Sequence, residues 1–458
     1  MPQLTAGWRK SIGHTVFKFE PTDATGSSAC FNSLLEVRKG INEIRDIQNI
    51  VDMISDPDGQ GRSDHWSKSA NDLLVSLILH TLYAEKDKSL AGVRKLISNP
   101  HRSDVETFTM MLTAIHDPDK QCGWIDDFTD QPTQTHPAVA AGAKDMLSKS
   151  EGERNGVIST LKTYLNLYRD PIIAKNTSTS DFSINDLVFN KKPTSLYFVI
   201  PPGDIDRVMP LVRLMVSQII KRLTEEMDFT QGINGSKDRH PLKLVFDEFP
   251  LFGRLSFYEK GLGYLAGYGI SSYLITQDLI QLYKSYGHYQ SIIANCNVRT
   301  AYAPNTNETA KHLADILGPT TIVKDYKHYS GDRLGFFLKN MNVGQHEIKR
   351  DLMTPDELMR ISKDSALVFV TGHSAIQGCK IRYYNDPVFS LRAKIKTPST
   401  DRLSVKTEWV GIKPHREEEK FIISDTSSLV EQEILLVDND LGKNLLPNNS
   451  FTEEDSLI

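Results

Sequence analysis

Only four cysteines occur in 458 residues (Cys30, Cys122, Cys296 and Cys379), and no two of them form a Cys-x-x-Cys pair. That excludes the common zinc and thiol-redox frameworks. Scattered thiols of this kind read as reduced side chains in a cytosolic setting. No segment reaches the ~18 consecutive apolar residues of a membrane span. The opening Met1-Pro2-Gln3-Leu4-Thr5-Ala6-Gly7-Trp8-Arg9-Lys10 lacks the layout of a signal peptide. A strong charge of one sign is missing as well: the net of −5 gives no whole-chain sign of nucleic acid, although a local channel can still be basic. No internal repeat or low-complexity tract stands out. What remains is the composition of an ordinary globular protein with a length prior of about three domains.

The most informative stretch is Leu242-Lys243-Leu244-Val245-Phe246-Asp247-Glu248-Phe249. A short apolar run interrupted by one lysine suits a buried parallel strand. It ends in two adjacent carboxylates, at the end where open α/β sheets place their ligands. Two acids there are costly to desolvate unless a cation or a catalytic task awaits them. In nucleotide hydrolases a strand-end Asp holds Mg²⁺ and a neighbouring Glu activates the attacking water. The alternative is a strand running into a solvated acidic turn.

Around this stretch the chain alternates. Thr15-Val16-Phe17-Lys18-Phe19 reads as a strand. Apolar spacing predicts helices over 42–54 and 65–83. From 88 to 183 strand signal is nearly absent, and 89–97, 104–115 and 137–167 read as helices. Strands follow at 195–200, 270–276, 298–303 and 366–371, with helices at 206–225, 257–265, 279–283 and 308–317 between them. This alternation predicts an α/β fold with a mostly parallel, doubly wound sheet and an inserted all-α domain. The implied division is 1–87 and 184–397 for the α/β domain, 88–183 for the insertion, and 398–458 for a flexible acidic tail. Residues 401–458 carry a net charge of −7, leaving +2 for the rest. His65, His101, His116 and His136 lie near the helical region without metal-ligand spacing, which favours satisfied surface or core histidines. Thr354-Pro355-Asp356-Glu357 has the N-cap, N1 proline and acidic first turn of a helix start.

Gln277 closes its strand in Thr276-Gln277-Asp278 and is either a neutral sensor of a terminal phosphate or a polar strand cap. Arg299 and Arg254 are either arginine fingers toward a neighbouring subunit's nucleotide or surface arginines. A phosphate cradle of the form Gly-x-x-x-x-Gly-Lys-[Ser/Thr] is not in the sequence. Gly442-Lys443-Asn444 lacks the hydroxyl and Gly235-Ser236-Lys237 has the wrong order. On its own residues the chain has half a nucleotide site.

Several ordered motifs resemble those of the TraG/TraD family of type IV secretion coupling proteins, conjugative DNA-transfer ATPases of RecA-like, P-loop NTPase type. They are Asp64-His65-Trp66, Pro201-Pro202-Gly203-Asp204, Phe246-Asp247-Glu248-Phe249-Pro250, Gly253-Arg254-Leu255 and Ala266-Gly267-Tyr268-Gly269. Thr276-Gln277-Asp278-Leu279, Asn295-Cys296-Asn297-Val298-Arg299, the run from Ala303 through Asn307-Glu308-Thr309-Ala310, and Leu352-Met353-Thr354-Pro355-Asp356-Glu357-Leu358-Met359 continue the series. The likeness covers about residues 5–390. It implies that Asp247 holds Mg²⁺, that Glu248 activates the water for ATP hydrolysis, and that Gln277 is the sensor glutamine. It implies that the helical region meets a relaxase–DNA cargo. It also implies homo-hexameric rings around single-stranded DNA, working with the secretion channel at the cytoplasmic face of the bacterial inner membrane. The family's transmembrane helices and phosphate-binding loop precede the point matching Leu4-Thr5-Ala6-Gly7-Trp8, so the sequence resembles an N-terminally truncated member. Two expectations follow: an ATP-dependent coupling protein, or a truncated adaptor that binds relaxase and secretion partners without hydrolysing ATP.

Overall fold

The computed structural model describes residues 2–56, 61, 64–126, 129–225, 239–330, 340–405 and 407–409. Nine strands are found among them: β1 (Thr15–Phe19), β2 (Thr194–Phe198), β3 (Leu242–Phe246), β4 (Ile270–Leu274), β5 (Val298–Ala301), β6 (Pro319–Ser330), β7 (Asn340–Asp351), β8 (Ser365–Val370) and β9 (Ile376–Cys379). β1 pairs with β2 and β3 with β4, both in parallel. Parallel neighbours need long crossovers. The β1–β2 crossover contains the whole helical region, and β3–β4 spans the short helix Ser256–Gly261.

The helical region is built where the sequence supplies both an apolar stripe and a cap. Helix His65–Ala84 begins at Asp64, whose carboxylate accepts from the Ser67 N–H. Helix Leu90–Ile97 is capped by Ser89 and helix Asp104–Thr113 by a reciprocal Ser103–Glu106 box. The single helix expected over 137–167 is two, Pro137–Ser148 and Glu151–Tyr164, because Ser150 caps the second. One continuous apolar core joins these helices to the sheets, running from Phe17 and Leu74 through Leu161 and Phe182 to Leu214, Phe246 and Tyr258.

Two sequence expectations are revised, and one element is added. The strands at 298–303 and 366–371 do not extend the parallel sheets: β5 and β8 pair antiparallel, with β9 added on the far side of β8. They rest on a small core of their own, Leu313, Ala314, Leu358, Leu367 and Phe369. The β6–β7 ribbon, twelve residues in each arm, was not expected. Its sequence mixes polar and apolar residues without clean alternation, so periodicity does not reveal it. Finally, the packed unit extends beyond residue 397. Asp401 accepts a hydrogen bond from the Val16 N–H and pairs with Lys10 at 2.7 Å, while Trp409 is only 8 % exposed. The rest of the acidic tail, 410–458, lies outside the described residues. No helix among the described residues is long and apolar enough to cross a membrane.

Candidate functional site

β3 alternates as its sequence dictates. Leu242, Leu244 and Phe246 turn toward the core, and Lys243 and Val245 turn away. The strand is therefore covered on one face only, where a fully buried one was expected. Val245 is 56 % exposed and Tyr273, beside it on β4, 54 %. Parallel strands are normally covered on both faces.

At the carboxyl end of β3 the backbone turns sharply. The Ile275 N–H donates to the Phe246 carbonyl at 3.0 Å, and the Phe249 N–H donates to the Ile275 carbonyl at 2.7 Å. Asp247 and Glu248 are thus held between two bonds to the segment leaving β4. Asp247 is exposed. Glu248 has φ 63° and ψ 63°, a left-handed conformation that a residue with a Cβ adopts at a cost of about 1 kcal/mol. Its Oε1 is buried and has no hydrogen-bond partner. A strained backbone presenting an orphaned carboxylate oxygen is the kind of local cost that persists at functional sites.

What over-determines this turn is an aromatic brace. Phe246 and Phe249 lie 5.5 Å apart, Phe246 lies 5.1 Å from Phe252, and Phe249 stacks on Tyr286 at 5.4 Å. Tyr258 packs against both Phe246 and Phe249, and its hydroxyl and that of Tyr286 are raised above the ordinary tyrosine range, chiefly by burial. The Tyr286 hydroxyl also accepts from the Leu255 N–H at 3.1 Å. The sequence carries a signal for this brace in Phe249-Pro250-Leu251-Phe252, directly after the acids.

Of the other candidates, Gln277 stands at the same sheet edge. The β3–β4 register sets Phe246 opposite Leu274, so Gln277 follows immediately after the positions flanking Asp247 and Glu248. It is exposed. Arg299 is in a different sheet, on β5, where its Nε donates to the Cys296 carbonyl at 3.2 Å. Arg254 is on the loop after the turn, paired with Glu259 at 3.3 Å. The strand register therefore joins Asp247, Glu248 and Gln277, and neither arginine shares that sheet.

A second constellation is buried where the helical region meets helix Glu43–Ser55. His136 Nδ1 accepts from the Ala138 N–H at 3.1 Å, so its Nε2 carries the proton toward Glu43 Oε1 at 3.0 Å. His116 Nδ1 accepts from the His136 N–H, leaving its Nε2 to donate to His80 Nδ1 at 3.0 Å. Burial lowers His80 to about 4 and His116 to about 3. Burial alone would raise Glu43, but hydrogen bonds from His136 and Tyr83 outweigh it and hold the carboxyl below its ordinary value. The His116 and His136 rings are committed to their neighbours, the His80 Nε2 is buried with no hydrogen-bond partner, and no group able to hold a metal is found among the described residues. His116 and His136 are satisfied core histidines, whereas His65 and His101 are at the surface.

Comparison with known proteins bears on most of the chain. The family model described as "Type IV secretory system Conjugative DNA transfer" matches residues 1–406. A conjugal transfer protein TraG of Escherichia coli is 41 % identical over 428 residues, covering 89 % of this chain and 65 % of the relative. Protein VirD4 of Agrobacterium fabrum is 24 % identical over 401 residues, covering 84 % and 53 %. The chain thus spans about two thirds of the length of that TraG relative and about half that of VirD4. Among solved structures, the bacterial conjugative coupling protein TrwBdeltaN70 in complex with sulphate aligns with a TM-score of 0.55 at 12 % identity, covering 86 % of this chain and 83 % of that one. TrwB in complex with ADP and Mg²⁺ aligns with a TM-score of 0.52 at 12 % identity, covering 83 % and 82 %. At such identities the likeness establishes the fold, which is RecA-like α/β of P-loop NTPase type with helices inserted between its strands.

Proposed function

The chain belongs to the type IV secretory system conjugative DNA transfer family, and from that premise we propose that it serves as the cytoplasmic part of a conjugative coupling protein, delivering relaxase-bound single-stranded DNA to the transfer channel at the expense of ATP. The observation that carries the hydrolytic part is Glu248: a left-handed backbone and a buried, unpartnered Oε1, next to Asp247 at a strand's carboxyl end.

The residues present fit half of a nucleotide site. An orphaned carboxylate oxygen beside an exposed carboxylate is the donor set a hydrated Mg²⁺ and a polarised water require. Bound Mg²⁺ supplies charge neutralisation of the phosphates. In this reading Asp247 holds the ion's water shell, Glu248 takes the proton of the attacking water on Oε1, and Gln277 offers a neutral hydrogen bond at the same edge. Arg254 and Arg299 face a neighbouring subunit in a homo-hexameric ring. TrwB, solved with ADP and Mg²⁺, supports a nucleotide as ligand. The proposed site of action is the cytoplasmic face of the inner membrane, with the helical region, 88–183, meeting relaxase and DNA.

A specific observation favours the alternative adaptor reading. The outer face of β3–β4 stands open at Val245 and Tyr273. ATP turnover by the purified chain separates the two. Turnover that falls about 10²- to 10⁴-fold in Glu248→Gln, the range for losing a general base, supports the enzymatic reading. Neither nucleotide binding nor turnover would leave the adaptor.

A further inference from the structure

The sheet leaves Arg254 apart from the two carboxylates and Gln277, yet one side chain connects all three segments. Helix Leu279–Tyr286 starts two residues after Gln277. The Asp278 carboxylate caps it by accepting from the Gln281 N–H at 2.9 Å, and the Asp278 carbonyl accepts from Thr276 Oγ1 at 2.7 Å. Gln277 is therefore flanked by two fixed residues. Leu282 and Tyr286, four apart on one helix face, are its buried side chains. About 10 Å along the axis from the cap, Tyr286 makes two contacts of different kinds. Its ring stacks on Phe249 at 5.4 Å and 16°, and the Phe249 N–H is one of the two bonds that hold the Glu248 turn. Its hydroxyl accepts from the N–H of Leu255, the residue after Arg254, at 3.1 Å. The Arg254 guanidinium lies near enough for its charge to act on that hydroxyl.

We propose that Tyr286 is a positioning residue that fixes Glu248, Arg254 and Gln277 relative to one another. The inference rests on the hydrolytic reading and adds to it a side chain that touches neither nucleotide nor ion. Its two contacts divide the work. The ring holds Phe249, and through it the left-handed backbone of Glu248, a conformation that persists only where its surroundings over-determine it. The hydroxyl holds the Leu255 amide, and with it the loop that carries Arg254. The helix between the cap at Asp278 and Tyr286 makes both contacts rigid with respect to Gln277. Reacting groups drawn from three segments have to keep their mutual placement, and a shift of about 1 Å is enough to cost about 10²-fold in rate. No other side chain among the described residues is recorded in contact with both Phe249 and the Leu255 amide.

The test compares the full chain with Tyr286→Leu and Tyr286→Phe. Hydrogen exchange is read by mass spectrometry on peptides containing Phe249, Leu255 and, as a reference, β1, alongside ATP turnover. Tyr286→Leu should speed exchange at Phe249 and Leu255 about tenfold and leave β1 at the parental rate. Its kcat should fall toward about 10²-fold, with KM within about twofold of the parent. Tyr286→Phe keeps the ring and loses the hydroxyl, so exchange should rise at Leu255 and not at Phe249, and kcat should recover to a value between the other two. Should Tyr286→Leu fail to fold, Phe249→Leu removes the same stack from the other side; exchange at position 249 should then rise while Leu255 stays at the parental rate. Parental exchange at Phe249 in folded Tyr286→Leu overturns the proposal. So does an equal rise at β1, which would make the residue a general support of the core, and so does a raised KM with unchanged kcat, which would make it a binding contact. A parent that turns over no ATP defeats the hydrolytic reading, and the exchange rates then decide by themselves whether Tyr286 holds the turn and the loop.

Discussion

Acidification should draw stability from two buried rings, against an opposing gain from the buried Glu36, whose carboxyl burial raises to about 7 so that it takes up its proton in the folded chain first. His80 and His116 are 2 % and 6 % exposed, joined by a 3.0 Å hydrogen bond, and lowered from 6.5 to about 4 and about 3. Burial is the main cause for both; the Arg102 charge adds to it for His80, and the neighbouring His80 and His136 add to it for His116. Between pH 6.5 and about 4 the unfolded chain therefore takes up protons that the folded chain refuses, so stability is fully present above pH 6.5 and falls as pH drops. Going from pH 7.5 to pH 5 costs about 2 kcal/mol per ring, or about 4 kcal/mol for the pair. Other groups face the cluster: Glu43, Tyr83, Glu85, Asp117 and Cys122, with Lys39 over the Tyr83 ring. Glu43 titrates below its ordinary 4.5, outside this window. His14 and His312, also lowered, add background in the same direction. Chemical denaturation at pH 7.5 and pH 5.0, for the parent and for His80→Gln/His116→Gln, isolates the pair. The double variant should lose about 4 kcal/mol less than the parent across that interval. Parallel losses in the two proteins would show that the buried relay does not govern the acid response.

Two further outcomes follow from local geometry. Glu248→Gly relieves the left-handed backbone and should raise stability by about 1 kcal/mol while removing the carboxylate; a thermal melt showing lower stability would mean the turn is not strained. Trp409→Ala removes the indole that donates to the Val37 carbonyl at 2.7 Å and lies 4.8 Å from the Tyr83 ring. It should cost about 3 kcal/mol in denaturant unfolding, whereas an unchanged midpoint would return residue 409 to the tail.

Much of the fold was legible because its signals are local. The caps at Asp64, Ser89, Ser103 and Thr354 sit where side chain and spacing announce them. The run ending in Asp247-Glu248 was readable as a strand because its length and apolar content match one. What escaped depends on distant residues. The antiparallel pairing of Arg299 with Phe369 joins positions 70 residues apart, and the β6–β7 ribbon has no apolar alternation to betray it. Glu248 carries no local sign of positive φ, since glycine and asparagine are the residues that usually announce it. His80 carries no local signal, because its partner His116, and the His136 N–H that bonds His116 in turn, come from a segment far along the chain. Trp409 lies in a polar, acidic composition that conceals one well-packed indole.

If the two carboxylates after β3 do what is proposed for them, DNA transfer depends on both. DNA transfer frequency from donor cells whose own coupling protein carries Glu248→Gln tests it most directly, with protein level checked by immunoblot. Transfer should fall about 10²-fold or more, with a comparable fall for Asp247→Asn. Transfer at the parental frequency in both variants, at equal protein level, would contradict it.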